Sequence, residues 1–518
     1  METEKDYIRT ADGRFVGLRE SSCGENPEDC AVFRGIVYAR YERFCLPEMV
    51  SYEGDGQSAH DSSENFVHEP YDATRYGCLC PQDLSHIERQ LGRNAGLKME
   101  EGRLCLSVTV PCSALNGGEK LPVMAWIHGG SYLTGGSEDH RYDVCELSTR
   151  GRVVVVKISY RLGALGYLWF EGRGNGDLKA SGKEGQSCNL VGKENLSCNL
   201  GLEDQKTALK WLRRHIASFG GDPENITLFG QSAGAHSIAS LIASADSLAP
   251  GSDYPLFGGE ILFHKAILQS APLGITITPS ESSRVTRRFF RELASMSGNV
   301  RSRVVAEDMF KAYLDGSVTT SQILSAQDKV RGLRKGMTFM PVLQDNMRIP
   351  DAIPLQSESS LDAKSWAAGH SGEMQTAYGE PPENVTGKFS VLMGCNSEDA
   401  SPYARKALGP LWRTPLRPLV TKLLTDRVFR KPMFEYARRL KVSGIPVGTY
   451  LFNWAPEDSA LGCCHSIELP FLLGHYEDWL TAEMLQGMTR EDYEKNSGLF
   501  QRLWSEFARN GQFPTKEL

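Results

Sequence analysis

The strongest constraint on this chain is the run from residue 225 to 244, NITLFGQSAGAHSIASLIAS. A short apolar segment rich in β-branched and aromatic residues leads into a turn of small residues. Small and apolar residues with helical character follow. Gly230, Ser232 and Gly234 fit the pattern G-x-S-x-G, in which small flanking residues let a strand turn sharply into a helix and present the serine oxygen at the bend. A pentapeptide alone is cheap, and its context of strand, turn and helix gives it meaning.

Other segments predict the layers around this bend. LPVMAWIHGG from residue 121 and VVVVKISYRLGALGYL from residue 153 are short apolar runs ending in glycine-containing loops, as buried strands of a mostly parallel sheet should be. In LEDQKTALKWLRRHIASF, Leu202, Leu209, Leu212 and Ile216 share one helical face, while Lys206, Lys210, Arg213 and Arg214 are solvated. The sequence FGGDP breaks that helix. The expected architecture is α/β, a mostly parallel central sheet flanked by helices; the length of 518 residues by itself favours two or more domains. Residues 171–198 and 352–387 lack periodicity and read as irregular surface insertions. The first contains most of a tandem near-duplication, GKEGQSCNL at 182–190 and GKENLSCNL at 192–200, too short to build a repeat array.

Composition narrows the class. The net charge of -7 is spread along the chain, and no basic stripe predicts nucleic-acid binding. No apolar run approaches the roughly 18 residues of a membrane span. The amino terminus, METEKDYIRTADG, lacks the apolar stretch of a secretory signal, so a cytoplasmic location is expected. The sequons at Asn195, Asn225 and Asn384 are then chance matches. The thirteen cysteines show no spacing of a structural zinc site, and neither metal nor cofactor is expected.

A serine hydroxyl attacks an acyl carbon only when a histidine takes its proton and a carboxylate orients that histidine. In the α/β-hydrolase order the acid follows the serine and the histidine follows the acid. KFSVLMGCNSEDASPY supplies a strand ending in a polar turn, with carboxylates at Glu398 and Asp399. Beyond it stand His465, in the small-residue loop LGCCHSIELPF, and His475, beside Tyr476 and Glu477. The developing oxyanion needs backbone N–H groups. Ala233, after the serine, offers one at the start of a helix, and the loop WIHGGSY at 126–132 offers others.

The ordered set FRGIVYARYERF, ATRYGCLCPQ, VMAWIHGG, ISYRLGALGYL, NLGLEDQKTALKWLRRHIASFGGDPENITLFGQSAGA, KAILQSAP, HSIELPFLLG and LWSEFARNGQFP resembles the type-B carboxylesterases, the cholinesterase-like branch of the α/β-hydrolases. The resemblance extends over nearly the whole chain and implies an α/β-hydrolase fold in one domain spanning residues 1–518, with long loop and helical insertions over the active site. It implies a serine carboxylic-ester hydrolase with Ser232 as nucleophile, His465 as base, and Gly130, Ser131 and Ala233 as oxyanion donors. Alignment of Gly394 and Asn396 with the family's G-x-N places Asp399 in the acid position, with Glu398 as the alternative. The expected substrate is a small to medium, largely apolar ester. An acyltransferase or cyclising enzyme using the same acyl-serine, or a catalytically silent binding protein, are the competing readings.

This chain departs from the family at several positions. Ser131 replaces a third glycine of the oxyanion loop, Gln231 replaces the usual Glu before the nucleophile, and Asp399-Ala400 stands where Glu-Gly is usual. Secreted relatives close a loop by a disulfide from a cysteine like Cys80, but its partner position is Arg103 here; Cys105, a pleat step away, is not expected to substitute. Residues 81–103 contain no aromatic ring on which a choline group could rest. Tyr132, Gln231 and Trp454 are candidates for lining a substrate pocket.

Overall fold

The computed structural model describes residues 6–21, 28–52, 66–67, 70–83, 97–115, 118–139, 141–169, 199–245, 254–296, 312–313, 316–332, 337–343, 349, 375–377 and 388–513. At its centre six strands run parallel in the spatial order Val154–Ile158, Leu121–Ile127, Gly221–Gln231, Lys265–Gln269, Ser390–Asn396 and Val447–Phe452. Antiparallel strands extend one side, beginning with Arg103–Pro111 and then Cys30–Arg40. The short strand Gln375–Ala377 pairs antiparallel with Val447–Phe452 at the other edge. The sequence-expected insertion at 352–387 thus contributes a sheet strand at 375–377. Its other residues, and all of 171–198, lie outside the described residues.

The apolar runs form buried strands because both sheet faces are covered. Along Leu121–Ile127, Leu121, Val123, Ala125 and Ile127 enter one hydrophobic cluster, whereas Met124 and Trp126 enter a second on the opposite face. Alternation of this kind, with every residue apolar, is what a parallel sheet between helical layers requires. The predicted helix spans Leu200–His215 and buries Leu202, Leu209 and Leu212, while Ile216 continues the apolar face in a short 3-10 turn. Its Asp204 is fully buried and receives the Arg161 guanidinium at 2.6 Å, so an ion pair fastens this helix to the loop after Val154–Ile158. Among the described residues no helix is long and apolar enough to cross a membrane.

Candidate active site

Strand Gly221–Gln231 runs into helix Ala233–Ala243 with only Ser232 between them. Ser232 has φ 56° and ψ -122°, a conformation L-residues rarely adopt, so the turn holds its side chain away from both elements. The flanking glycines are required by contact. A Cβ on Gly234 would lie 1.9 Å from the Ile127 carbonyl oxygen, and one on Gly230 would lie 2.8 Å from that same oxygen. The bend therefore closes only without side chains at these two positions.

Two loops at the carboxyl ends of other strands bring the remaining groups. His465 Nδ1 donates to Asp399 Oδ1 at 2.7 Å; the carboxylate can only accept, which leaves Nε2 as an acceptor. Asp399 is fully buried, and its Oδ2 accepts the Asn396 N–H at 2.9 Å. Glu398 is directed elsewhere: its N–H donates to the Cys463 carbonyl, and its carboxylate lies against Gly462. Of the two sequence candidates, Asp399 is the carboxylate that meets His465. His475 stands apart beside Glu146 at 3.9 Å and Asp143 at 3.7 Å; hydrogen bonding to Glu146, then the charges of both carboxylates, push its pKa up to about 9 against the effect of burial.

A cavity joins Ser232 and His465, lined also by Gly129, Gly130, Thr134, Gly135, Arg141, Tyr142, Gln231, Ser466 and Leu469. No hydrogen bond links Ser232 Oγ to His465. Instead His465 Nε2 lies 3.2 Å from Gln231 Nε2, which fits an amide N–H donating to the imidazole. The backbone N–H groups of Gly130, Ser131 and Ala233 have no hydrogen-bond partner among the described residues, and Ala233 opens a helix whose positive end lies behind it. Ser131 adopts φ 57°, so the serine occupies a backbone conformation that favours glycine.

Two of the pocket candidates do not line this cavity. Tyr132 also has positive φ, and its ring turns into the core, fully buried against Tyr167, with its hydroxyl 2.7 Å from His236 Nδ1. Trp454 packs on Phe471, with ring centroids 5.3 Å apart. Gln231 does line the cavity.

Sequence reasoning missed a buried polar layer behind the histidine. Asn396 Nδ2 donates to Glu468 Oε2 at 2.7 Å and to the Cys464 carbonyl at 2.8 Å, while its main chain holds Asp399. Glu468 is fully buried, and its Oε1 has no partner. Burial, with the Asp399 charge nearby, pushes its pKa up to about 7. The available signal was a polar residue in each of two apolar contexts, Asn396 after VLMGC and Glu468 within SIELPF. Also missed was Gln82, whose amide holds Gly135 from both sides: Gly135 N–H donates to Oε1 at 2.8 Å and Nε2 donates to the Gly135 carbonyl at 2.9 Å.

A model of the carboxylesterase family matches residues 4–179 and 189–401. A probable N-octanoylanthranilate hydrolase of Rhodococcus erythropolis is 30% identical over 484 residues, covering 93% of this chain and 90% of that protein. The para-nitrobenzyl esterase of Bacillus subtilis (strain 168) is 30% identical over 457 residues, covering 86% and 81%. Among solved structures, a PNB esterase superposes with a TM-score of 0.68 at 23% identity over 99% of this chain and 93% of that one, a likeness of fold.

Proposed function

We propose, because the chain belongs to the carboxylesterase family and hydrolyses carboxylic esters through an acyl-serine, that Ser232 is the nucleophile, His465 the general base and Asp399 the orienting acid. The observation that carries this assignment is the 2.7 Å contact of His465 with Asp399 at a cavity that also holds the strained Ser232. Ester binding turns the Gln231 amide off the imidazole, so that Nε2 can take the Ser232 proton as Oγ attacks the carbonyl carbon. The N–H groups of Gly130, Ser131 and Ala233 receive the oxyanion, Asp399 stabilises the imidazolium, and that imidazolium protonates the departing alcohol. Water then enters by the same steps in reverse.

The lining described above contains no carboxylate, Gln231 is neutral, and the Arg141 guanidinium is already paired with the buried Asp139 carboxylate at 2.6 and 3.0 Å, which supports an ester whose alcohol is uncharged over a choline ester. The substrate is a small to medium, largely apolar ester. All three triad candidates stand on one sheet, which supports a single domain over residues 1–518. Arg103 at the family's bridge position, together with ten free thiols among the described cysteines, supports a cytoplasmic setting.

The test is covalent. A fluorophosphonate probe should label Ser232, Ser232→Ala should remove the label, and His465→Ala should lower kcat by at least ~10³-fold. A neutral p-nitrophenyl ester should be turned over faster than the matching choline ester. An adduct on another residue, or none on folded protein, refutes the assignment and favours a silent binding protein.

A further inference from the structure

Cys105 is not expected to substitute in a bridge to Cys80, and its strand, Arg103–Pro111, carries it into the core beside a different cysteine. Arg103 projects to solvent near Glu100, whereas Cys105 is 2% exposed. Its Sγ lies 3.7 Å from Sγ of Cys78, itself 7% exposed. Cys80 takes no part: it is buried, and burial pushes its thiol up to about 12. Gly77 makes the approach possible, since a Cβ there would sit 3.0 Å from both Cβ and Sγ of Cys105.

We infer that Cys78 and Cys105 are a disulfide-forming pair, whose bond ties the segment beneath the catalytic cavity to the central sheet. A disulfide needs sulfurs ~2.05 Å apart, so each must move by only about 0.8 Å. The segment so tied reaches the site directly. Leu79 packs against Gly136, and Gln82 clamps Gly135, which lines the cavity with Ser232. The inference is independent of which residues form the triad.

The oxidant that suits so buried a pair is a small hydroperoxide such as hydrogen peroxide. The Cys78 thiolate attacks one peroxide oxygen, the O–O bond breaks, and Cys78 becomes a sulfenic acid as hydroxide leaves. Cys105 sulfur then attacks the sulfenic sulfur and expels its oxygen, with the Cys105 proton, as water. Two thiols and one peroxide give one disulfide and two waters. The order of attack follows from the contact: a hydrogen bond from Cys105 lowers the Cys78 pKa, and the same contact raises that of Cys105 well above the ordinary thiol value.

The experiment treats the full chain with hydrogen peroxide, alkylates remaining thiols, digests without reductant and maps linked peptides by mass. A Cys78–Cys105 peptide is expected, absent after dithiothreitol. The oxidised chain should melt about 3 °C higher than the reduced one, and Cys105→Ser should remove that increment. If both thiols remain open to alkylation after oxidation in the denatured chain, or if Cys78 is found linked to another cysteine, the pair is not the one inferred. The peptide map needs no variant, so poor folding of Cys105→Ser leaves the question answerable.

Discussion

Adjacent residues in a tight turn cannot both face one imidazole, and at 398–399 the buried member wins: Asp399 reaches His465 while Glu398 lies against Gly462. Asp399→Asn should therefore keep the fold and lower kcat by ~10⁴-fold, as when a triad carboxylate becomes an amide, with Glu398→Gln mild. Steady-state kinetics on one p-nitrophenyl ester would show the ranking, and the reverse order would move the acid to Glu398. Glu468 gives a second prediction, read as stability. Its pKa rises from 4.5 to about 7 on folding, so the folded chain holds a proton that the unfolded chain releases. Its contribution is fully present below about pH 4.5 and is lost as pH rises through about 7, a swing of roughly 3 kcal/mol. Glu468→Gln keeps an acceptor for Asn396 without the charge. Compared with the parent by thermal melts, it should gain stability progressively from pH 5 to pH 8, and a constant difference across that range would contradict the shift.

The strand-turn-helix element around Ser232 was legible because its constraints are local. An apolar strand, two contact-limited glycines and a helix leave one arrangement, and the acid and histidine could be sought downstream in order. What the sequence could not display were orientations fixed by long-range packing. Tyr132 follows the oxyanion loop and looked like a pocket ring, but a positive φ at Ser131 and Tyr132 turns it onto His236. The approach of Cys105 to Cys78 was not legible because the register between residues 77–80 and its strand is set by tertiary contact, not by spacing. The same reasoning predicts the effect of Gly234→Ala. The Ile127 carbonyl stands where the new methyl group must go, so helix Ala233–Ala243 would have to lift from strand Leu121–Ile127. Overpacking of this kind costs about 1–3 kcal/mol, and the lifted helix would displace the Ala233 N–H. Fluorophosphonate labelling should fall sharply in protein that still shows a cooperative melt; undiminished labelling would mean that the close approach is not needed.

At the scale of the whole molecule, one sheet gathers the proposed site from four strand ends. Ser232 follows Gly221–Gln231, the oxyanion loop follows Leu121–Ile127, Asp399 follows Ser390–Asn396, and His465 lies in the loop after Val447–Phe452. None of these residues lies in the tandem sequence at 182–200. The family match breaks at residues 180–188, a span that takes in most of the first copy at 182–190, and resumes at 189. The second copy runs directly into Asn199, whose side chain donates to the Val342 carbonyl at 2.8 Å and accepts the Val342 N–H at 2.9 Å, and into helix Leu200–His215. The second copy is therefore anchored at its end, whereas the family match lacks most of the first, so the first is expected to be dispensable. Deleting residues 182–191 joins Ser181 to Gly192 and retains the whole second copy. Removing ten residues from a long connection changes its closure entropy by well under about 1 kcal/mol. The shortened chain should keep its thermal midpoint within about 1 °C and its kcat/KM within about twofold. A midpoint lower by several degrees, or lost fluorophosphonate labelling, would show that the first copy packs on the catalytic layer.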